Sequence, residues 1–303
     1  MKTPYRKLGK TNKEVSLIGF GALEIGRDWG LGKGEDTMRP DEEAASALLH
    51  DVLDCGINLI DTARAYHRSE ERIGQSISRR RSEYFLASKC GEHSREPETY
   101  YDFSYQAVAD SIDLSLKLLK TESIDLMQIH FGPDAEKALH QGEVIQAMLD
   151  ARAAGKISYL GASAWGDLAV ECIETGHFDV MQLAYNLIQQ EDEPVIKLCQ
   201  EKNIGVLIRT PLALGKLTPK GIQNLNTLSV RERSQLYALL ELVNNDAQYI
   251  PALALQFLSQ HPGISSILVG TKNEHHLRDN IKALSASVSD DIIKKAMAIG
   301  RDI

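Results

Sequence analysis

INLIDT (residues 57–62) is a short apolar run that ends in polar residues, and its recurrence along the chain indicates the fold. The same form recurs at YFLASK (84–89) and IDLMQIH (124–130). Short runs rich in β-branched and aromatic residues are typical of buried strands. Runs of this kind predict strands at Val15–Gly19, Ile57–Ile60, Tyr84–Ser88, Ile124–Ile129, Ile157–Gly161, Val180–Ala184, Gly205–Ile208 and Ser265–Val269.

Longer amphipathic segments separate the predicted strands. Asp41–Leu53 opens with Asp-Glu-Glu, which suits the cap and first turn of a helix. Tyr105–Leu119 repeats apolar residues at helical spacing. Further helices are predicted at Gly142–Ala154, Leu168–Thr175, Pro194–Lys202 and Glu274–Leu284. Strands that alternate with helices pair in parallel through right-handed crossovers, so the sequence predicts an α/β fold.

The number of strand–helix units selects the type of α/β fold. About eight units in 303 residues fit a (β/α)8 TIM barrel, whose usual length is about 250 residues. The alternative is a doubly wound open sheet, which requires a glycine fingerprint after its first strand. Gly19-Phe20-Gly21 begins the G-x-G-x-x-G pattern, but Glu24 stands in place of the third glycine. The prediction is therefore a barrel that forms a single domain over residues 1–303.

Three long loops follow predicted strands, at Glu24–Pro40, Gly91–Phe103 and Leu212–Leu228. Long ordered loops are usually functional, and loops that follow barrel strands overhang the catalytic face. Tyr5–Asn12 is predicted to form a hairpin that plugs the barrel floor. Five aromatic residues in or beside the loops either line a substrate pocket or pack on one another: Trp29, Tyr100, Tyr101, Phe103 and Phe131.

Composition argues against several classes of protein. A net charge of -8 and a pI of about 5.6 disfavour a nucleic-acid partner, because phosphate binding needs a basic face. No segment approaches the ~20 apolar residues of a membrane span, and no signal peptide is recognisable at the N-terminus. The four cysteines are scattered along the chain, at Cys55, Cys90, Cys172 and Cys199, which is typical of reduced thiols. We therefore expect a cytoplasmic protein without a membrane partner.

Polar or ionisable residues follow most of the predicted strands. They are Asp61, Tyr66, Lys89, His130, Ser163, Gln182, Arg209, Thr210, Thr271 and Lys272. Each alone has a structural explanation, such as a turn cap for Asp61 or a core histidine for His130. Because the carboxyl ends of barrel strands meet at one mouth, their recurrence there predicts an active site.

Several motifs resemble those of the aldo-keto reductase superfamily. They are GFG (19–21), NLIDTA (58–63) with Tyr66, SEERIG (69–74), ASK (87–89), IDLMQIH (124–130), GAS (161–163), PLALGKL (211–217) and Asn280. The resemblance covers nearly the whole chain, and the order of Asp, Tyr, Lys and His makes it specific. It implies an NAD(P)-dependent oxidoreductase that transfers a hydride between nicotinamide and the carbonyl or alcohol carbon of an aldehyde, ketone or sugar.

The resemblance also implies a role for each of four catalytic residues. Negative charge develops on a carbonyl oxygen as hydride arrives at carbon, and an acid must then supply a proton. Tyr66 is implied as that acid, with Lys89 lowering its pKa from the usual ~10. Asp61 is implied to keep Lys89 charged and oriented. His130 is implied to donate a hydrogen bond to the carbonyl oxygen.

The cofactor residues are also implied by the resemblance. Ser163 and Gln182 would hold the carboxamide, Arg209–Leu217 the pyrophosphate, and residues 270–280 the adenosine end, at a helix N-terminus that suits phosphate. The predicted set is Gly21, Ala22, Leu23, Asp61, Ser163, Gln182, Arg209, Thr210, Leu212, Gly215, Lys216, Leu217, Gly270, Thr271, Lys272, His276, Asp279 and Asn280.

The chain departs from the family pattern at three places in or beside this set. Ala164 follows the serine of GAS where relatives often carry Asn, and Arg209 stands where many carry an aromatic side chain. An arginine common near the adenosine end is replaced by His276, with Lys272 and Arg278 close by in sequence. These cations favour NADPH, because positive side chains suit a 2′-phosphate, with NADH as the alternative.

Three other functions fit parts of the sequence. A barrel lyase would use Lys89 in a Schiff base, but an adjacent Asp61 would keep that lysine protonated. A metal-dependent hydrolase would use His67, His93 and His130, which lack the spacing of metal-ligand motifs. A non-catalytic, NADPH-binding regulatory subunit would be expected to carry a damaged set of catalytic residues. The sequence carries no prediction of oligomeric state.

Overall fold

A computed structural model describes residues 3–31, 34–286 and 288–302. Its strands are β1 (Tyr5–Lys7), β2 (Glu14–Ser16), β3 (Ile18–Gly21), β4 (Leu59–Asp61), β5 (Phe85–Cys90), β6 (Glu92–Arg95), β7 (Glu98–Tyr101), β8 (Ile124–His130), β9 (Ile157–Ser163), β10 (Val180–Ala184), β11 (Gly205–Arg209) and β12 (Ser266–Gly270). Its helices are α1 (Glu42–Asp54), α2 (Ser69–Ile77), α3 (Tyr105–Leu119), α4 (Ala135–Gln141), α5 (Glu143–Ala153), α6 (Gly166–Glu174), α7 (Glu193–Glu201), α8 (Pro219–Ile222), α9 (Val230–Leu242), α10 (Ile250–Ser259), α11 (Glu274–Ala283) and α12 (Asp290–Asp302).

Eight parallel strands close into a barrel in the order β3-β4-β5-β8-β9-β10-β11-β12. Between β5 and β8, Lys89 pairs with Gln128. Closure occurs where β12 pairs with β3, with Gly270 opposite Gly21. Helices cover the outside of the strands, so the predicted (β/α)8 barrel is confirmed. Single-domain organisation over residues 1–303 stays a prediction.

Alternation along the strands separates two apolar layers. Ile60 and Leu86 join the large cluster that packs against the helices. The lower barrel interior is filled by Leu8, Val15, Leu59, Phe85, Ala87, Leu126, Val180, Leu207 and Leu268. Successive strand side chains point to opposite faces, so residues two or four positions after these also face inward. The inward positions nearest the mouth are therefore Asp61, Lys89, Gln128, Gln182 and Arg209.

The N-terminal hairpin plugs the barrel but is longer than predicted. Its two strands are Tyr5–Lys7 and Glu14–Ser16, which pair in antiparallel fashion, so the predicted segment Tyr5–Asn12 supplies only its first strand. The predicted barrel strand Val15–Gly19 is correspondingly wrong in its first half, and the barrel strand is Ile18–Gly21. The prediction merged β2 with β3, because both strands are buried and their apolar residues form one continuous run in the sequence.

A close backbone contact seats the hairpin under the barrel. Gly9 has a φ of 49°, and a Cβ there would lie 2.3 Å from the backbone nitrogen of Gly205. Leu8, beside it, packs against Gly205 at the start of β11. The plug therefore lies at the amino ends of the strands, opposite the polar mouth.

The long loops contain local structure that the sequence analysis did not predict. The loop 91–103 contains the antiparallel hairpin β6–β7. The loop 212–228 contains α8 and two short 3-10 turns. The loop 24–40 contains a 3-10 turn at Gly34–Asp36, and its residues 32 and 33 lie outside the described part of the chain. No helix among the described residues is both long and apolar enough to span a bilayer.

Candidate active site

A buried lysine organises the mouth of the barrel. Lys89, 1% exposed at the end of β5, donates from Nζ to Asp61 Oδ2 at 2.5 Å and to Tyr66 OH at 3.1 Å. It also donates to the Thr62 carbonyl oxygen at 3.0 Å. An ammonium group has three donors, and all three are used here. The structure thus brings Asp61, Tyr66 and Lys89 together, as the sequence predicted.

The carboxylate of Asp61 is held from across the barrel. Its Oδ1 accepts hydrogen bonds from Gln128 Nε2 at 2.8 Å and from Gln182 Nε2 at 2.9 Å. The two amides come from β8 and β10, and Lys89 comes from β5. Side chains from three strands therefore hold the carboxylate of Asp61. Gln128 was not predicted, although its place in IDLMQIH, two residues before His130, gives an inward orientation. The predicted contact of Gln182 with a carboxamide stays a prediction.

A second buried network fixes the turn that carries Tyr66. Arg64, in the 3-10 turn Arg64–Tyr66, pairs with Glu70 at 2.9 Å. Ser88 on β5 donates to the same carboxylate at 2.6 Å. Glu70 is fully buried, and a buried charge with both oxygens satisfied restricts motion of the chain around it. Glu70 of the SEERIG motif thus holds the turn that carries Tyr66 against β5.

Burial and charge act in opposite directions on the two groups nearest the predicted reaction. Burial by itself lowers the pKa of Lys89, but Asp61 and Tyr66 outweigh it and the pKa is raised, so the ammonium stays charged. Burial raises the pKa of Tyr66, and Lys89 offsets only part of that rise. Lys89 thus lowers the pKa of Tyr66 as expected, but the expectation of a net lowered pKa is wrong, because desolvation dominates.

His130 lies at the same mouth but has a partner that the sequence analysis missed. Its Nδ1 is 2.8 Å from Glu92 Oε2, in close but poorly aligned contact. Its ring meets the Tyr66 ring edge-on, with centroids 6.0 Å apart. Burial lowers the pKa of His130. Glu92 follows β5 by two residues, and the general rule that polar groups after barrel strands face the site would have pointed to it.

A cleft of about 1450 Å³ runs across this mouth. The predicted residues that line it are Gly21, Leu23, Asp61, Tyr66, His130, Ser163, Gln182, Arg209, Thr210, Leu212, Gly215, Gly270, Thr271, Lys272, His276, Asp279 and Asn280. Ala22 and Leu217 are fully buried beneath it, and Lys216 forms an ion pair with Glu232. Lining residues that were not predicted include Glu24, Arg27, Glu92, Trp165 and Tyr249.

The residues present fit a nicotinamide dinucleotide. Arg209 lines the cleft, and its buried Nε has no hydrogen-bond partner within the described residues. A buried unsatisfied N–H is costly, so it favours a ligand that offers an oxygen acceptor. Gly215 adopts a φ of 89°, which lets the backbone turn beside the cleft. The same cleft of about 1450 Å³ is lined both by Tyr66 and by Asn280 on α11, so one cavity connects the predicted nicotinamide and adenosine ends.

The cations near the predicted adenosine end are already engaged. Lys272 Nζ donates to the backbone oxygens of Asp36 at 2.6 Å and Met38 at 2.5 Å. Arg278 pairs with Glu274 at 2.7 Å, a neighbour on the same helix. The positive cluster that the sequence suggested for a 2′-phosphate is therefore committed largely to protein groups.

The predicted aromatic residues divide into two groups. Trp29 and Phe131 line the cleft. Tyr101 stacks on Phe103 with ring centroids 6.0 Å apart, and Tyr100 stacks on His93 at 5.0 Å. These stacked rings stiffen the β6–β7 hairpin instead of lining the cleft.

The three histidines considered for a metal site have separate partners. His67 Nδ1 lies 2.7 Å from Ser94 Oγ, and His93 Nε2 lies 3.0 Å from the carbonyl oxygen of Asp102. In the part of the chain that the structure describes, no group of three or more His, Cys, Asp or Glu side chains is arranged to hold a metal ion.

A closed parallel barrel that gathers lysine, carboxylate and tyrosine beside a long cleft defines the class of NAD(P)-dependent barrel oxidoreductases. The family model described as the Aldo/keto reductase family matches residues 17–300, and the chain belongs to this family. It is therefore an NAD(P)H-dependent oxidoreductase.

Two curated relatives and one solved structure illustrate the similarity. An L-galactose dehydrogenase from Arabidopsis thaliana is 29% identical over 301 residues, which cover 94% of this chain and 89% of that protein. An NADH-specific methylglyoxal reductase from Escherichia coli is 25% identical over 312 residues, with 93% and 94% covered. The holo form of an aldo-keto reductase from Bacillus halodurans shares the fold, with a TM-score of 0.81, 24% identity, and 98% and 96% of the chains covered.

Proposed function

We propose that the chain interconverts a carbonyl compound and its alcohol with Tyr66 as the general acid and base. The observation that carries the proposal is the position of Lys89 Nζ, 2.5 Å from Asp61 Oδ2 and 3.1 Å from Tyr66 OH. A phenol beside a fixed cation can release a proton to a developing oxyanion, because the cation stabilises the phenolate that remains.

Each residue of the cluster has a distinct task in this proposal. When bound, the nicotinamide supplies or accepts the hydride. In reduction, Tyr66 OH gives its proton to the substrate oxygen as charge develops there, and burial keeps that proton on the phenol until then. Lys89 stabilises the resulting phenolate, and Asp61 keeps Lys89 charged. His130 hydrogen-bonds the same substrate oxygen. In oxidation the proton moves in the opposite direction.

The charged state of Lys89 argues against the Schiff-base lyase. Nucleophilic attack on a carbonyl needs a free lone pair on Nζ. Here the pKa of Lys89 is raised, and Nζ donates to Asp61, Tyr66 and the Thr62 carbonyl. The intact cluster likewise gives no support to a non-catalytic regulatory subunit.

We also propose that NADH binds at least as tightly as NADPH. Lys272 uses two of its three donors on loop carbonyls, and Arg278 is paired with Glu274, so protein groups compete with a 2′-phosphate for both cations. Glu24 adds a carboxyl group to the same part of the cleft. One relative is named as NADH-specific and another is named for NADP(+), so the proposal rests on the cations of the cleft.

Small polar carbonyl compounds are the substrate class that the cleft favours. Arg27 and Glu92 line it beside Trp29 and Phe131, so hydroxyl and carbonyl groups have charged partners and the carbon skeleton has apolar ones. The relatives named for L-galactose and methylglyoxal carry substrates of this kind in their names. A panel of short 2-oxoaldehydes, sugars and aromatic aldehydes would rank these classes.

Tyr66→Phe tests the central role. We expect kcat to fall by at least about 10²-fold, while the Kd of the nicotinamide cofactor changes less than about threefold, because only the transferable proton is removed. Steady-state kinetics and fluorescence titration measure the two quantities. Tyr100→Phe, in the stacked hairpin, is the matched control and should leave both unchanged. Retention of more than a few per cent of kcat in Tyr66→Phe would refute the assignment.

A further inference from the structure

Glu92 is a buried carboxylate that the mechanism above does not use. It begins β6, is 7% exposed, and pairs through its backbone with Tyr101 on β7. Its Oε1 accepts a hydrogen bond from Thr99 Oγ1 at 2.7 Å, and its Oε2 lies 2.8 Å from His130 Nδ1. The hairpin therefore holds one oxygen and directs the other at the imidazole.

Four titratable groups face His130 from the elements packed around it. Glu92 on β6 and Asp61 on β4 favour a positive imidazole, whereas Lys89 on β5 opposes one. Tyr66 meets the ring edge-on from its 3-10 turn. Burial lowers the pKa of His130 overall, which makes the ring neutral near pH 7. Glu92 is the carboxylate closest to the ring, and no other ion pair is made to His130 within the described residues.

Glu92 itself remains ionised. Burial acts to raise the pKa of Glu92, but contacts with His130 and Thr99 and the charge of Arg27 outweigh it and lower the pKa to about 2. An ionised carboxylate only accepts hydrogen bonds, so Nδ1, which lies 2.8 Å from Oε2 in poorly aligned contact, is the nitrogen placed to carry the proton of a neutral imidazole. Nε2 is then an acceptor, and it becomes a donor only when His130 takes up a second proton.

We propose that Glu92 is a positioning residue that fixes the Nδ1–H form of His130 and acts as counter-ion to its imidazolium. Carbonyl reduction then uses the imidazolium, whose Nε2–H donates to the substrate oxygen. Alcohol oxidation uses the neutral ring, whose Nε2 accepts from the substrate hydroxyl. Only an N–H bond is made or broken in this equilibrium, with the proton taken from or released to water. The contact between His130 and substrate rests on the proposed function, whereas the Glu92–His130 pairing does not.

The rates of carbonyl reduction and of alcohol oxidation should therefore depend on pH in opposite ways. Reduction should decline as pH rises through the pKa of His130, and oxidation should increase over the same range. Loss of the Glu92 charge makes the imidazolium harder to form, so both transitions should move to lower pH. A role of Glu92 in folding alone would not move either transition.

Nuclear magnetic resonance of the full chain with ¹⁵N-labelled histidine tests the pairing without any substrate. The His130 signals are assigned by their loss in His130→Asn. We expect wild type to show the Nδ1–H tautomer, and Glu92→Gln to titrate about 1–2 pH units lower, as expected on loss of an opposite charge within hydrogen-bonding distance. Glu92→Asp should lie between them. Glu98→Gln, an exposed carboxylate on the same hairpin, is the matched control and should titrate as wild type does.

Two results would overturn the proposal: an Nε2–H tautomer in wild type, or an unchanged His130 titration in Glu92→Gln. The first needs no substitution at Glu92, so it decides the matter even if Glu92→Gln fails to fold. The kinetic readout is kcat/KM for reduction against pH, whose descending limb should shift in Glu92→Gln by the same amount as the titration. A wild-type chain without oxidoreductase activity would refute the proposed function and leave the tautomer test intact.

Discussion

The charge of Lys89 is important both for the stability of the barrel and for the proposed chemistry at its mouth. A lysine at 1% exposure stays charged only when partners compensate for the water it has lost, and Asp61 is the principal one. The same pair supplies the cation beside Tyr66, so stability and chemistry depend on the same contacts. Two substitutions can separate these contributions.

At the residue scale, we predict that Lys89→Met lowers kcat by at least about 10²-fold and the free energy of unfolding by about 3–5 kcal/mol, because Asp61 is left buried without its cation. Adding Asp61→Asn should recover most of the stability, since Gln128 and Gln182 can still donate to the remaining oxygen. It should recover none of the activity. Urea unfolding and steady-state kinetics measure the two effects. Recovered turnover in the double variant would show that the cation is dispensable.

At the element scale, two hairpins at opposite ends of the barrel have different roles. The β1–β2 hairpin closes the floor with Leu8 and Val15, far from the polar mouth. The β6–β7 hairpin stands at the mouth, where it presents Glu92 to His130. A substitution in the floor should therefore affect stability alone, and one at the mouth should affect chemistry.

We predict that Leu8→Ala lowers the free energy of unfolding by about 2–5 kcal/mol, because a fully buried side chain is replaced by a cavity against Gly205. Cofactor affinity should stay within about twofold of wild type. Leu114→Ala, at a leucine that is 41% exposed on α3, is the matched control, with an expected change within about 0.5 kcal/mol. Urea denaturation with and without cofactor tests both. Loss of cofactor binding in folded Leu8→Ala would contradict the separation of floor and mouth.

The accuracy of the sequence-based prediction also varies with scale. The bounds of α3, Tyr105–Leu119, were predicted to the residue, because the spacing of apolar residues is a local property. The break between β2 and β3 was missed, because buried strands in a hairpin and in a barrel have the same composition. The β6–β7 hairpin was predicted only as a loop, since its polar residues pair through backbone contacts and stacked rings.

At the scale of the whole molecule, the cleft lies between the long loop 24–40 and the last helices. Lys272 joins the two by donating to the carbonyls of Asp36 and Met38. A ligand in the cleft touches both sides, so binding should stabilise the entire fold by mass action.

We predict that NADH raises Tm by at least as much as NADPH at equal concentration, with several degrees expected near 100 times Kd. Lys272→Gln should reduce both shifts alike if, as proposed, the lysine holds the loop and not a phosphate. Lys13→Gln, in the floor hairpin, should change neither. Differential scanning fluorimetry reports all of these. A loss confined to NADPH in Lys272→Gln, or a tenfold tighter NADPH Kd in wild type, would restore the preference inferred from sequence.

The amino-acid sequence is sufficient to predict the barrel and the end of it that carries the polar groups. Both follow from periodicity: alternation of strand and helix sets parallel pairing, and alternation within a strand places Asp61 and Lys89 on the inner face. The tertiary structure alone decided that Gln128 and Gln182 hold Asp61, that Glu92 reaches His130, and that Lys272 is tied to a distant loop. These contacts join residues that are far apart in the chain. Which residues meet depends on the register of the strands and on the path of the loops, and no local sequence pattern specifies either.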